Sequence, residues 1–383
     1  MTIKEFAYSA QQHLQAQTGQ SLKRAHIYEF LAASFGFNSF AALCTESVVF
    51  QGRQEPKHDS QYNQSLRQRC LELGYQSTIA DIVFSEFPPF IAEQRITFTT
   101  FSALVVKLRR QLSYHHGYPD WEDDDEIEDE ENLADIIDDD WPPLYDDIQQ
   151  DHFPPDLLSG LEAAAAKDNS YAHYALALIH MPIDVDDREA GIDYWYNQEK
   201  SGRVLTGVEK EWSDNYAKML TNDAKFEFHL REAGRLGNEQ ALLDLADKFD
   251  DPSFFEAAKD LADHNPLRAA EVAEKLGRKE DVHHWLSIAA KAGDIHSILR
   301  LIEEFENHDL QSCWTWLYFA QLLGTDLTRD DYYAINEDGS IYDDDVGGPL
   351  HVAGRGGINI TPLSENQDSL ARQAAQEIFD SLH

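Results

Sequence analysis

Cysteine, methionine and basic side chains are all scarce in this chain of 383 residues. The three cysteines, Cys44, Cys70 and Cys313, are an odd number, widely spaced and without a CxxC pair. That excludes a disulfide framework and a zinc ribbon, and it points to a reducing cytoplasm. No run of about eighteen apolar residues exists, which excludes a transmembrane helix. The opening residues, MTIKEFAYSAQQHLQ, lack an apolar stretch and carry Glu5, unlike a secretory signal. Only 31 Lys and Arg stand against 70 Asp and Glu, a net charge of −39. Like charges repel, so neither a nucleic-acid backbone nor an anionic membrane is expected as the principal partner.

Catalytic motifs are missing as well. No HExxH, P-loop, GxSxG or Rossmann fingerprint is present. The adjacent pairs His115-His116 and His283-His284 point in different directions on a helix and chelate poorly. The expectation is therefore no catalytic residue, no metal and no cofactor. What is present is core material: 42% of residues are hydrophobic and 11% aromatic, more than a wholly disordered acidic chain would carry.

The charge is unevenly distributed. Residues 1–118 carry 11 basic and 9 acidic side chains, residues 120–151 carry 17 acidic and no Lys or Arg, and residues 152–383 carry 20 basic and 44 acidic. This divides the chain into an N-terminal helical domain (1–118), an acidic connector (119–156), a helical region (157–324) and a C-terminal segment (325–383). The connector includes Asp123, Asp124, Asp125, Glu128, Asp129, Glu130, Glu131, Asp138, Asp139 and Asp140, a candidate interaction tract. Trp121, Ile127, Leu133, Ile136, Ile137 and Trp141 interrupt it, so two readings stand: a solvated linker, or a segment lying along a surface. The basic spot Lys107, Arg109, Arg110 just before it is a place for it to dock.

In the N-terminal part, Ile3, Phe6, Ala7, Ala10 and Leu14 share a helix face, and Gly19 is the C-cap. Ser21 is expected to cap a helix over 22–35 that uses Ile27, Phe30, Leu31 and Ser34 inward. Ser39 opens a short third helix. That third helix offers no Arg, Lys, Asn or Gln for base edges, which argues against a DNA reader. Further helices are expected over 61–74, over 76–87 with a stop before Pro88-Pro89, and over 97–113. The stretch SLKRAHIYEFLAASFGFNSFAAL resembles a small helical module at the N-terminus of assorted bacterial proteins, some of them glyoxalase-related. No glyoxalase metal ligand accompanies it, and no activity is carried over.

The region 157–324 sets the expected fold. Ala164-x3-Asp168-Asn169-x2-Ala172, Ala233-x3-Gly237-Asn238-x2-Ala241 and Ala289-x3-Gly293-Asp294-x2-Ser297 repeat one pattern. A small residue closes one helix, Gly or Asp makes a left-handed turn, and Asn or Asp caps the next helix. Trp285-Leu286-x2-Ala289-x3-Gly293 recurs 31 residues later as Trp316-Leu317-x2-Ala320-x3-Gly324. Spacings in the thirties are those of tetratricopeptide-type helix pairs. Trp195, Trp285 and Trp316 are expected in the core. Between repeats, 254–277 reads as a compressed helix pair broken at Pro266. The rival reading is an irregular helical bundle.

At REAGRLGNEQALLDLADKF and WLSIAAKAGDIHSILRLIEEF the chain resembles the Sel-one-like repeat family, relatives of tetratricopeptide repeats. The family's LGxxYxxGxGV turn is eroded here. The resemblance implies a mainly α fold, an α-solenoid used for protein–protein contact, with no catalytic residue to transfer. Beyond it, YYAINEDGSIY reads as a β-hairpin around Asp338-Gly339. The same loop does not fit a calcium site, because its first ligand position falls on Ala334. A final helix from Ser364, with Leu370, Ala374, Ile378 and Leu382 inward, is expected to cap the array.

The function implied is a cytosolic, non-catalytic adaptor that binds another protein, one with a basic segment by charge. The alternative is an acidic decoy in which 120–151 imitates nucleic acid.

Overall fold

Thr2 opens the first helix with a capping box: its hydroxyl accepts the Glu5 N–H while the Glu5 carboxylate reaches back to the Thr2 backbone. The computed structural model describes residues 2–52, 63–115, 153–182, 191–257, 265–336 and 350–382. These are mainly helical, with two small two-stranded antiparallel sheets. They form two compact units, Met1–Leu242 and Leu243–His383. The N-terminal helices and those between 155 and 235 both belong to the first unit.

In the first unit, α1 (Ile3–Thr18), α2 (Arg24–Ser34), α3 (Phe40–Glu46), α4 (Asn63–Glu72) and α5 (Ser77–Glu93) surround one apolar core. Phe6, Phe30, Phe87 and Phe90 form its aromatic centre, with Phe6–Phe87 at 6.1 Å and Phe30–Phe87 at 6.2 Å. Gly19 ends α1 in the left-handed conformation and Ser39 caps α3 through the Ala42 N–H. Helix α2 starts at Arg24 after Lys23, with no side-chain cap from Ser21.

Pro88 and Pro89 do not stop α5, which runs through both. Each proline deprives the carbonyl four residues earlier of its N–H, at a cost of about 3 kcal/mol in an ordinary helix interior. Here the affected residues, Phe84 and Ser85, are exposed, where water can serve. The buried Phe87, Phe90 and Ile91 flanking the prolines contribute about 1.5–3 kcal/mol each. Packing outweighs the lost hydrogen bonds.

Strands β1 (Ser47–Gln51) and β2 (Ile96–Thr100) pair antiparallel, Val49 opposite Phe98. Residues 97–100, expected in a helix, are strand, and α6 (Phe101–His115) begins after them. Phe101, Leu104, Val105, Leu108 and Leu112 all point inward as their spacing required. Helix α7 (Pro155–Ala165) follows, and its Gly160 lies against Val48 of β1. Helix α8 (Ser170–Ile179) is buried at every position from Ala172 to Ile179, and it packs on α6, α7 and α10 (Val208–Arg235). A helix apolar all round belongs inside. Between them, α9 (Tyr194–Lys200) packs on α10.

The division between Leu242 and Leu243 falls within the residues of α11 (Glu239–Phe249). The second unit continues with α12 (Ser253–Ala257), α13 (Pro266–Lys275), α14 (Lys279–Lys291), α15 (Ile295–Arg300), a π-helical turn at Leu301–Phe305, and α16 (Leu310–Leu322). Pro266 opens α13, at the break expected between two helices. It occupies the first turn, where a missing N–H costs nothing, and Asn265 caps the following N–H groups. Trp285 stacks on Phe254 at 5.6 Å, and the Trp316 indole N–H donates to Glu306 at 2.9 Å.

Strand β3 (Asp331–Ile335) pairs with β4 (His351–Arg355), Tyr333 opposite Ala353. The turn expected at Asp338-Gly339 lies outside the described residues. The β4 segment carries Gly354, whose φ of +100° and close approach to the Asp331 carbonyl exclude a side chain. Helix α17 (Glu365–Ser381) packs on α16 through Ala371 and Ala375, one position away from the expected stripe. Leu370 and Leu382 remain exposed. Small residues let the two helices approach closely, and that contact decides the register.

Candidate functional site

The repeat-signature residues share one piece of local chemistry. The N–H groups of Asn169, Asn238, Arg278, Asp294 and Thr325 donate to the carbonyls of Ala164, Ala233, Ala273, Ala289 and Ala320, at 2.9–3.3 Å. The intervening residue is left-handed each time: Asp168, Gly237, Gly277, Gly293 and Gly324. This is a Schellman stop with alanine at its tightest point. Asn169, Asn238 and Asp294 then accept the N–H groups of Ala172, Ala241 and Ser297. Ala164, Ala172, Ala233, Ala241, Trp285, Ala289 and Trp316 are buried, so these residues belong to the packed interior. The acidic tract, Asp123 to Asp140, lies outside the described residues, as do Asp338 and Gly339.

Three groupings emerge that sequence reasoning did not assemble. The first is a surface on α9 and α10. Trp195 is half-buried, not core, and stands 6.4 Å from Trp212 with the Arg203 guanidinium 4.8 Å above its ring. Tyr194 (51%), Trp212 (53%) and Val204 (87%) are exposed. Glu199 anchors the two helices by accepting from Ser213 (2.5 Å) and pairing with Lys210 (2.8 Å). Those donors hold the Glu199 carboxyl below its ordinary range, Lys210 first.

The second is a histidine cluster between α8 and α10. His173 Nδ1 meets His229 Nδ1 at 3.0 Å, and His173 Nε2 meets the Ala165 carbonyl at 3.0 Å. A carbonyl only accepts, so Nε2 carries the proton and the neutral ring's Nδ1 must accept from His229. His180 stacks on His229 at 6.2 Å and is hydrogen-bonded by Asn222. Burial pushes His180 down to about 4, helped by Lys225 and His229. Burial, with His173 and Lys225, pushes His229 down to about 4, and burial also lowers His173. The cluster is a neutral, desolvated unit. Its signal in the sequence was the i, i+7 spacing of His173 and His180 on one helix face, not adjacency.

The third is a cleft of about 610 Å³ in the second unit, lined by Trp314, Tyr318, Gln321, Thr328, Asp330, Gly357, Ile358, Asn359, Ile360 and Arg372. The Trp314 indole N–H donates to the Thr361 carbonyl at 3.0 Å, which fixes the ring 5.3 Å from Tyr318. Arg372 lies 3.9 Å over the Tyr318 ring, donates to its hydroxyl at 3.0 Å and pairs with Asp368 at 2.9 Å. The Tyr318 hydroxyl donates to Asp368 in a short bond. Burial, and then the Asp368 bond, raise Tyr318 above its usual value, while Tyr318 and Arg372 lower Asp368. The opposite wall is built by glycine: Gly357 lies so close to the Thr328 carbonyl that a Cβ would sit 2.1 Å from it, and its N–H donates to Asp330 at 2.8 Å.

Among the described residues no cluster of His, Cys, Asp and Glu is placed to hold a metal ion, and no helix is long and apolar enough to cross a membrane. Cys44, Cys70 and Cys313 are free thiols, and burial pushes Cys70 up to about 12. No family model matches the chain, and no curated protein or solved structure matches it either.

Proposed function

We propose that this chain is a non-catalytic cytosolic adaptor that holds another protein on a solenoid of helix pairs. The single observation that carries the reading is the α9–α10 surface, where Trp212, Tyr194 and Val204 stand in water beside Arg203. Trp, Tyr and Arg are the residues in which protein interfaces concentrate their binding energy. Stranding them in solvent has no folding benefit. The recurring alanine–glycine turns support the helix-pair part of the reading, because four of the five stop one helix and start the next within a few residues. The net charge of −39 favours a partner with a basic segment, drawn in by long-range attraction.

Affinity capture from native extract tests it with three proteins: the full chain, the Trp212→Ala/Tyr194→Ala variant, and a chain lacking 120–151. The adaptor loses its partner in the double variant and keeps it without the acidic tract. The opposite pattern would make the chain an acidic decoy.

A further inference from the structure

We propose that the cleft between α16, α17 and the 357–360 segment binds an extended peptide segment carrying a lysine or arginine. The inference rests on the protein-binding reading above and names a second contact for it. Asn359 and Ile360 lie outside helix and strand and make no hydrogen bond to another described residue, so their main-chain groups are open to a peptide backbone laid beside them. Pairing of this kind supplies affinity through main-chain bonds and leaves specificity to pockets for alternate side chains. The volume of about 610 Å³ suits a few residues.

The pocket's chemistry selects a cation. Arg372 is already neutralised by Asp368, with its guanidinium spent on Tyr318. Asp330 uses one carboxylate oxygen on the Gly357 N–H and leaves net negative charge in the cleft. Trp314, held by its bond to Thr361, lines the same cleft as Asp330. A lysine or arginine side chain lies along an indole and ends on a carboxylate, a combination of cation–π attraction and ion pairing. An acidic segment would be repelled by the same group and by the whole chain.

The test uses the full chain and a fluorescein-labelled octapeptide alternating Lys and Thr, followed by anisotropy at about 150 mM salt to screen diffuse attraction. The companion probes are the same peptide with Glu for Lys, the Lys peptide N-methylated along one backbone edge, and a neutral oligosaccharide. Saturable binding of the Lys peptide alone is expected. Asp330→Asn, which preserves the acceptor for Gly357, weakens it about tenfold, and Trp314→Ala does the same, while Trp212→Ala leaves it unchanged. Equal affinity in Asp330→Asn, equal binding of the N-methylated peptide, or binding of the oligosaccharide in place of the peptides overturns the inference. Absence of Lys-peptide binding, with capture still lost in the Trp212→Ala/Tyr194→Ala variant, overturns the cleft and leaves the adaptor standing.

Discussion

His173 and His229 face each other nitrogen to nitrogen, Nδ1 to Nδ1 at 3.0 Å, with a carbonyl fixing the proton on the far side of His173. One added proton can be accommodated if His229 moves its own to Nε2. A second sets two N–H groups against each other.

Stability should therefore fall on mild acidification. The unfolded chain's histidines take up protons near pH 6.5, whereas folded His180 and His229 do so only at about 4. The unfolded state binds more protons between those values, so the contribution is complete above about 6.5 and is lost as pH falls toward 4. For buried His180 the preference is on the order of 3 kcal/mol. Most carboxylates remain ionised down to about pH 5, so histidine dominates the upper part of the window. Thermal unfolding at about pH 7.5 and about pH 5.5 should show a drop that shrinks in His180→Leu. An equal drop in both proteins would remove the cluster from the explanation.

Gly160 and Val48 give a second expectation. Alanine at 160 gains about 1 kcal/mol of helix propensity, but its Cβ would lie 2.4 Å from Val48 Cγ2. Valine is stiff at χ1 and buried, so it does not swing away, and overpacking costs about 1–3 kcal/mol. The clash wins: Gly160→Ala should lower the urea midpoint. Adding Val48→Ala should recover part of the loss, whereas strictly additive losses would refute the contact.

The helix caps differ in a measurable way. Asn238→Ala removes one cap bond, to the Ala241 N–H, and should cost about 1 kcal/mol. Asn169→Ala removes a cap bond to Ala172 together with the Nδ2–H bond to the Thr45 carbonyl, a tie between the start of α8 and α3. It should cost more, roughly 2 kcal/mol, with Asp in its place restoring only the cap. Equal losses for the two alanine variants in denaturant unfolding would show that the Thr45 tie contributes nothing.

Periodicity made most helices legible. The inward residues of α1 and α6, the Gly19 stop and the Ser39 cap follow from spacing and local capping chemistry. The alanine–glycine turn was equally legible, but it marks a helix end wherever one occurs. The N–H of Phe37 donates to the Ala32 carbonyl across Gly36 in the same way, outside any repeat. Tertiary packing overruled local signals elsewhere: Phe87, Phe90 and Ile91 carried α5 through two prolines, and Ala371 and Ala375 turned α17 by one position. The cleft was illegible because its wall, 357–361, has no period. Gly354 and Gly357 read as turns, yet both serve close approach of one backbone to another. The histidine cluster joins residues 56 positions apart, a distance that no local pattern spans.

If the α9–α10 surface grips another protein, as we propose, site-specific photo-cross-linking measures that contact directly. A benzophenone amino acid at Val204, the most exposed apolar side chain of that surface, should yield a discrete covalent adduct with one other protein in the native cell. The same probe at Tyr8, exposed on α1, should yield none. No adduct at Val204, or the same set of adducts from both positions, would contradict it.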